Sequence, residues 1–321
     1  MAEIIDTILP VDTGPDEYET IADWITGEAH DLTGGGDVYV AEFNTFSGGL
    51  DEDSALSGWT TDVDEFIILR AAPGHEPDFS ARKQGFYFAP TSGNACIRPV
   101  SAIPYVELTD LEFDCTATGP TQQAPFSSSN GGGIESILTR ITIDGVGNGD
   151  GIVFNAAGDN QIVEQLLVID ANDDGVLNGN GSVTFNHVCT VDALGRGFVH
   201  AGGNDSNLTN AFMSGSGGDD FSRQAGSLRS YIACSDTTAE GTGAIDSAGT
   251  DNFVNYVAST GDFRIAIDAA DGLDDQGDTG TYMGCDLEVA AGGGRIMSSL
   301  VGEGGLAGIG GIAGPGGGLA G

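Results

Sequence analysis

The sequence predicts an all-β fold: a right-handed parallel β-helix (solenoid) with a short N-terminal capping helix and a glycine-rich C-terminal tail. Three observations carry this expectation. Glycine supplies 53 of 321 residues against 10 prolines, and turn-forming residues interrupt the apolar runs at strand length. Helical periodicity is nearly absent. Two short patterns alternate through the middle of the chain with one shared period.

The first pattern is apolar–x–polar–apolar. It reads Leu108-Thr-Asp110-Leu111, Leu138-Thr-Arg140-Ile141, Val163-Glu-Gln165-Leu166 and Phe185-Asn-His187-Val188. It continues as Leu208-Thr-Asn210-Ala211, Leu228-Arg-Ser230-Tyr231 and Phe253-Val-Asn255-Tyr256, so the polar position steps by 30, 25, 22, 23, 20 and 25 residues. Between these runs lie GIVFNAAG at 151, GVLNGNG at 175, GFVHAGG at 197, DFSRQAG at 220 and GAIDSAG at 243, stepping by 24, 22, 23 and 23. Short strands separated by Gly, Asn and Asp turns at such a period describe the coils of a solenoid. Each strand then pairs in parallel with its counterpart one coil away, about 4.8 Å along the axis. No single coil buries its apolar face alone, so stability comes from stacking. Leucine-rich repeats share the period but not the Leu/Asn signature.

Ahead of the coils, Tyr18 to Glu28 is the one helix candidate, with Ile21, Trp24 and Ile25 on one face. Strands are expected at Val38 to Phe43 and Phe66 to Ala71. Four segments follow: residues 1–100 as N-terminal cap and first coils, 101–270 as regular coils, 271–303 as C-terminal cap, and 304–321 as a glycine-rich assembly tail.

The front of the chain adds a resemblance. Tyr18-x-Thr20-x-x-x-Trp24, then DVYVAEF, then LSGWTTDVDEFIILRAAPGHE at 56–76 resemble the start of right-handed β-helix proteins of phage and environmental sequences. In those proteins the Y-x-T…W segment resembles a short helix capping the first coil. The resemblance covers roughly the first 115 residues and implies a fold more than a chemistry. The glycine-rich end is similar to the C-terminal tails of some phage virion proteins.

Charge narrows the setting. Forty-eight acids face ten bases, nine of them Arg with Lys83 the only lysine, for a formal charge of −38. The acids are scattered singly in a chain that is 40% hydrophobic, which describes a folded carboxylate surface rather than a disordered acidic block. Such a surface repels itself unless salt screens it. The composition reads as halophilic, from a haloarchaeon or one of its viruses. It excludes nucleic acid and anionic membrane as direct partners. The start of the chain shows no basic and apolar signal-peptide regions, and no apolar run reaches membrane-spanning length. The five cysteines, Cys96, Cys115, Cys189, Cys234 and Cys285, have no C-x-x-C spacing and read as buried, reduced small hydrophobes, with no zinc site.

Candidate sites are few. DANDDG at 170–175 opens like a calcium loop, with Asp170, Asn172 and Asp174 at alternate positions and Gly175 for the turn. The closing acid is missing, because residue 181 is glycine, and the same residues suit an inter-coil turn. Ca2+ is thus the single cofactor candidate, with GLDDQGDTG at 272–280 a weaker one. In the second ladder, Asn178, His200, Arg223 and Asp246 occupy one position in successive coils and are expected to face outward. Polysaccharide lyases and tailspike hydrolases of the β-helix kind carry acids and bases on such a face, making His200, Arg223 and Asp246 the catalytic candidates. Any soluble solenoid also needs polar residues there. His30, His75 and His187 show no metal spacing, and His187, at the first ladder's polar position, is expected to make a structural hydrogen bond. The sequons at Asn204 and Asn207 are expected to be silent.

The tail GGLAGIGGIAGPGGGLAG carries no charge. Its Leu306, Ile309, Ile312 and Leu319 call for burial, while its glycines lose much entropy on ordering. Packing against another subunit satisfies both. The expectation is a structural virion protein of a haloarchaeal tailed virus, a surface spike, turret or fibre assembled in the host cytoplasm. Its partners would be its own copies in a trimer or pentamer, other virion proteins, and a host glycan or S-layer protein, with neither nucleic acid nor membrane. A glycan-cleaving tailspike-like enzyme and a cell-surface adhesin are the alternatives.

The carboxylate surface generates the first prediction. Circular dichroism melts from molar to millimolar salt should show the melting temperature falling as salt is withdrawn, because the screening length grows from about 3 Å to 30 Å or more. A melting temperature indifferent to salt would sink the halophilic reading.

Overall fold

The computed structural model describes residues 2–9, 17–44, 49–51, 54–62, 64–91, 97–99, 105–116, 135–146, 149–154, 160–179, 182–202, 206–223, 228–257, 261–278 and 281–286. Internal contacts divide the chain into Met1–Glu288 and Val289–Gly321, and the described residues all belong to the first. Cys96, Gly181, Asn204 and the whole tail, with Leu306, Ile309, Ile312 and Leu319, lie outside them.

The fold is an all-β parallel solenoid. Its first elements are β1 (Ala2–Ile8), β2 (Glu17–Tyr18), helix α1 (Ile21–Glu28), β3 (Asp37–Phe43), β4 (Ser54–Leu56), β5 (Ile67–Ala71), β6 (Tyr87–Phe88) and β7 (Ile97–Pro99). The coils proper follow as β8 (Tyr105–Asp114), β9 (Glu135–Val146), β10 (Ile152–Phe154), β11 (Asn160–Ala171), β12 (Val176–Asn178), β13 (Ser182–Val191), β14 (Phe198–His200), β15 (Asn207–Ser214), β16 (Phe221–Arg223) and β17 (Leu228–Cys234). Last come β18 (Phe253–Asn255) and β19 (Asp262–Ile265). The long strands form one parallel sheet in the order β17-β15-β13-β11-β9-β8-β5-β3-β1-β2, with β6 beside β8, and the short strands form a second in the order β10-β12-β14-β16. The linkers from each short strand to the next long one fall in residues outside the description, so two faces of the solenoid are seen.

The first ladder's pattern has a backbone cause. Its polar residue adopts the left-handed conformation in coil after coil: Asp110, Arg140, Gln165, His187, Asn210 and Tyr231 all have φ between 55° and 58°. One such residue bends the long strand and lets the apolar residues on both sides point inward. Leu108 and Leu111, Leu138 and Ile141, Val163 and Leu166, Phe185 and Val188, and Leu208 and Ala211 accordingly share the main core. Phenylalanine stacks fill the column, Phe43 on Phe86 and Phe88 on Phe113 at centroid distances of 4.7 and 5.0 Å. Glycine opens the second ladder's units because the coils touch there: a Cβ on Gly175 would lie 2.5 Å from the Gly197 carbonyl oxygen, and one on Gly197 would lie 2.5 Å from that of Asp220.

The helix forms at the expected place. Thr20 caps it by accepting the Asp23 amide at 3.0 Å. Ile21 and Trp24 are fully buried, and Trp24 Nε1 donates to Asp6 Oδ2 on the terminal strand β1 at 2.8 Å.

Three expectations are corrected. Leu228 does not point inward: Leu208 pairs with Arg229, the left-handed residue is Tyr231 rather than Ser230, and Leu228 is 72% exposed. Phe253 to Tyr256 is no coil, because β18 pairs antiparallel with β19. GAIDSAG at 243 does not extend the second ladder either; Thr242 and Ile245 bridge in parallel to Ser230 and Ala233, closing the end of the long-strand sheet. The regular coils therefore stop well short of residue 270.

Beyond them, the described residues of 248–286 form a strap over the outer face of the long strands. Past the bends of β11, β13, β15 and β17 the outer positions are apolar as well, whereas β8 and β9 carry Glu112, Asp114, Thr142 and Asp144 there. Leu167, Ile169, Cys189, Val191, Phe212 and Ala233 pack outward against Phe253, Phe263, Ile265, Leu273, Met283 and Cys285 of the strap. Before the bend the outer face is open, with Ile137 and Ile162 exposed.

The register correction can be tested with two aspartates. Leu208→Asp buries an unpaired charge and should cost several kcal/mol, about 3 or more. Leu228→Asp should change stability by no more than about 0.5 kcal/mol. Urea titrations of both variants check this, and similar losses would refute the register.

Candidate functional site

Polar side chains converge at the turn between each long strand and the following short one. Asp150 stands before β10, Asp173 and Asp174 before β12, and each offers a carboxylate oxygen within 4.8 Å of the others. Asp174, almost fully buried, is held by Arg196 of the next coil. Arg196 Nε donates to Oδ1 at 3.0 Å, Nη2 to Oδ2 at 2.8 Å and the backbone N–H to Oδ1 at 3.0 Å. The Asp174 amide donates to Asp150 Oδ1 at 3.2 Å. Burial, reinforced by the Asp174 and Asp173 charges, pushes the Asp150 carboxyl up to about 6. Three carboxylates form an oxygen-rich donor set of the kind that suits Ca2+. The Arg196 fork already neutralises Asp174, so the cluster acts first as an ion-paired clamp between coils.

This cluster takes Asp173 and Asp174 from the DANDDG stretch, but of the expected ligands Asp170, Asn172 and Asp174 it shares only Asp174. Asn172 is exposed. Asp170 serves the backbone: it has φ 53° and aligns with Gly145, Asp192 and Gly215, all of positive φ, at the end of successive long strands. Aspartate tolerates that conformation, which is why it alternates there with glycine. Asp150, Asp173 and Arg196 were missed by the sequence reading. The signal was available, since Asp150, Asp174, Arg196 and Asp219 are the residues preceding the first residue of four successive second-ladder units.

The outward row is also corrected. Asn178, His200 and Arg223 do stack in register across β12, β14 and β16. Asn178 and His200, however, are buried at 0% and 3% exposure. Asn178 Nδ2 donates to Ser206 Oγ at 2.6 Å. An inward polar residue is tolerated once hydrogen-bonded. Asp246 is not in this sheet; it is exposed and accepts the Ala239 amide at 3.1 Å. The catalytic trio is therefore not assembled.

Of the three residues stacked in the sheet, Arg223 is the one that reaches a surface. With Asp219, Ser222, Thr237, Thr238 and Glu240 it lines an open, mostly polar groove of about 540 Å3 at the C-terminal end of the short-strand sheet. Glu240 Oε2 accepts from Arg223 Nε at 2.5 Å and lies 3.1 Å from Arg229 Nε.

His187 makes the structural contact expected of it. Its ring lies 4.2 Å from that of Tyr282 in the strap and it hydrogen-bonds the Gly284 backbone, while burial pushes its pKa down to about 4. Gln165 Nε2 donates to the Tyr282 hydroxyl at 3.1 Å, and Asn210 Oδ1 accepts the Asp278 amide at 2.7 Å. The bend row thus seats the strap. His30 packs its ring against Tyr39 and Trp59. Comparisons with protein-family models, curated proteins and solved structures return no match to this chain.

The raised Asp150 carboxyl gives a signed prediction. Its folded pKa lies above the ordinary value, so its contribution is intact at low pH and is lost as pH rises through about 6. Asp150→Asn keeps the acceptor for the Asp174 amide without the charge. Melts should coincide for wild type and variant near pH ~4, with the variant higher by a few degrees near pH ~8. A variant that matches wild type near pH ~4 but is less stable near pH ~8 would show that the charge is needed.

Proposed function

We propose that this chain is a structural, surface-displayed protein of a haloarchaeal tailed virus, a spike, turret or fibre that contacts the host surface. The observation that carries the reading is the use to which polar groups are put. Among the described residues, the charged and polar rows clamp coil to coil or seat the strap, His200 is buried, and Asp246 lies outside the sheet that carries His200 and Arg223. A column of this kind is a rigid spacer. Its −38 charge suits exposure to concentrated salt.

Assembly is assigned to the tail. Residues 304–321 lack charge, so a carboxylate-coated particle can gather several copies of them without repulsion. Leu306, Ile309, Ile312 and Leu319 supply roughly 1.5–3 kcal/mol each at full burial, offset by the ordering of the glycines between them. Those opposing terms favour packing of many copies over folding back in one.

Glycan contact is supported by the Arg223 groove, whose Asp219, Thr238 and Glu240 side chains offer the donors and acceptors that sugar hydroxyls need. Cleavage has less support, because His200 is buried and Asp246 lies outside the short-strand sheet. An adhesin would share the groove but would need no assembly tail.

Deleting residues 304–321 should leave the β-rich circular dichroism spectrum intact and abolish higher assembly in light scattering at high salt. Loss of the spectrum with unchanged assembly would make the tail a solenoid cap. Host surface glycan should be bound without release of reducing sugar; release abolished by Arg223→Ala would establish the enzyme instead.

A further inference from the structure

Two cysteines meet under the strap. Cys189 lies on β13, two residues past its bend and on the outer face, while Cys285 lies near the strap's end. Both are fully buried, in the cluster that joins strap to sheet. The two thiols interact, burial and that interaction push the Cys285 thiol well above its ordinary range, and Cys285 Sγ lies 3.8 Å from the Phe263 carbonyl oxygen. The backbone around Cys285 is fixed, because the Gly284 amide donates to the Asn210 carbonyl on the neighbouring strand β15 at 2.9 Å.

Beside this pair stands an anomalous cation. Arg70, Lys83, Arg140, Arg196, Arg223, Arg229 and Arg264 are all ion-paired. Arg82 is not: its three guanidinium nitrogens are buried and make no hydrogen bond, and the group lies 5.2 Å from the Phe263 ring centroid. Its charge acts first on the Asp144 and Glu112 carboxylates and then on the Cys285 and Cys189 thiols. A buried cation without a hydrogen-bond acceptor is costly, and its charge offsets part of the burial that holds the Cys285 thiol up.

The geometry points to an oxidation site: Cys189 and Cys285 form a disulfide that fastens the strap to the sheet, with the Arg82 guanidinium as the positive charge beside the reacting sulfurs. The oxidant is a small disulfide such as oxidised glutathione. One protein thiolate attacks a glutathione sulfur, the oxidant's S–S bond breaks, and one glutathione leaves as thiolate. The second protein thiolate attacks the protein sulfur of the mixed disulfide and expels the other glutathione. The two protein thiols lose two protons and two electrons, which leave as two glutathione thiols. Because the docked strap buries both sulfurs, reaction proceeds through strap opening and its rate follows that opening. This inference is independent of the virion reading.

The test uses the full chain at high salt with oxidised glutathione. Non-reducing peptide mapping should show one crosslink, Cys189 to Cys285, and oxidation should raise the melting temperature. Cys189→Ala and Cys285→Ser should abolish both effects; if neither variant folds, the wild-type map decides. Tyr282→Ala, which loosens the strap, should speed crosslinking several-fold. Arg82→Gln should slow it several-fold, with Arg82→Lys restoring most of the rate. A crosslink on any other pair would overturn the proposal. So would thiols that stay unlinked in Tyr282→Ala while iodoacetamide labels Cys285. Arg82→Gln crosslinking at the wild-type rate would remove Arg82 from the site.

Discussion

One residue per coil in the left-handed conformation is the constraint on which the solenoid depends. An extended strand alternates its faces, so residues three apart point to opposite sides. At Gln165 or His187 the positive φ resets that alternation, and Val163 with Leu166, or Phe185 with Val188, enters the same core. A non-glycine residue costs about 1–2 kcal/mol in that conformation. Each bend recovers more, since a buried Val, Leu or Phe is worth roughly 1.5–3 kcal/mol. The row contains Asp, Arg, Gln, His, Asn and Tyr and no β-branched side chain, which the conformation would penalise most.

The same bend divides the outer face into two surfaces. Before it, outward positions alternate with the core and remain open. After it, on β11, β13, β15 and β17, both faces turn apolar, and a second layer has to cover the outside. The strap does so, and its position is read from the bend row itself: Gln165 and His187 hold Tyr282 and Gly284, and Asn210 takes the Asp278 amide. A residue chosen for its backbone conformation thus also supplies the polar contact that locates the strap. The low pKa of His187 follows from this double duty, because a ring sealed under Tyr282 loses its hydration.

The repeat was legible in the sequence because inward apolar pairs and inter-coil glycines are both imposed by stacking, coil after coil. The register of β17 was not legible: Leu228 precedes Arg229-Ser230-Tyr231 and imitates the pattern one residue early, where only pairing to Leu208 decides. Asn178 and His200 misled for another reason. Polarity predicts exposure only when no partner waits inside, and Ser206 supplies one for Asn178. Asp170 looked like a metal ligand because Asp is favoured both by calcium and by positive φ. The strap left no periodic trace, since it crosses the coils instead of repeating with them.

The scarce cations complete the argument. Arg140 lies on the bend row and pairs at 2.6 Å with Asp110 one coil earlier, and Arg196 pairs with Asp174 in the same sense. Arg70 joins Glu42 and Glu3 on the two preceding long strands. Each ties neighbouring coils at a point where carboxylates would otherwise stack and repel at short range. In a chain with so few bases, placing most of them between coils leaves the exposed carboxylates to solvent and to screening by salt. Buried ones such as Asp6 and Glu65 rest on hydrogen bonds from Trp24 Nε1 and the Gly34 and Gly36 amides. Short-range repulsion is thereby neutralised inside the column, and the long-range remainder is left outside it, where ionic strength controls it. That division lets one sequence be both a tightly stacked solenoid and a strongly acidic surface.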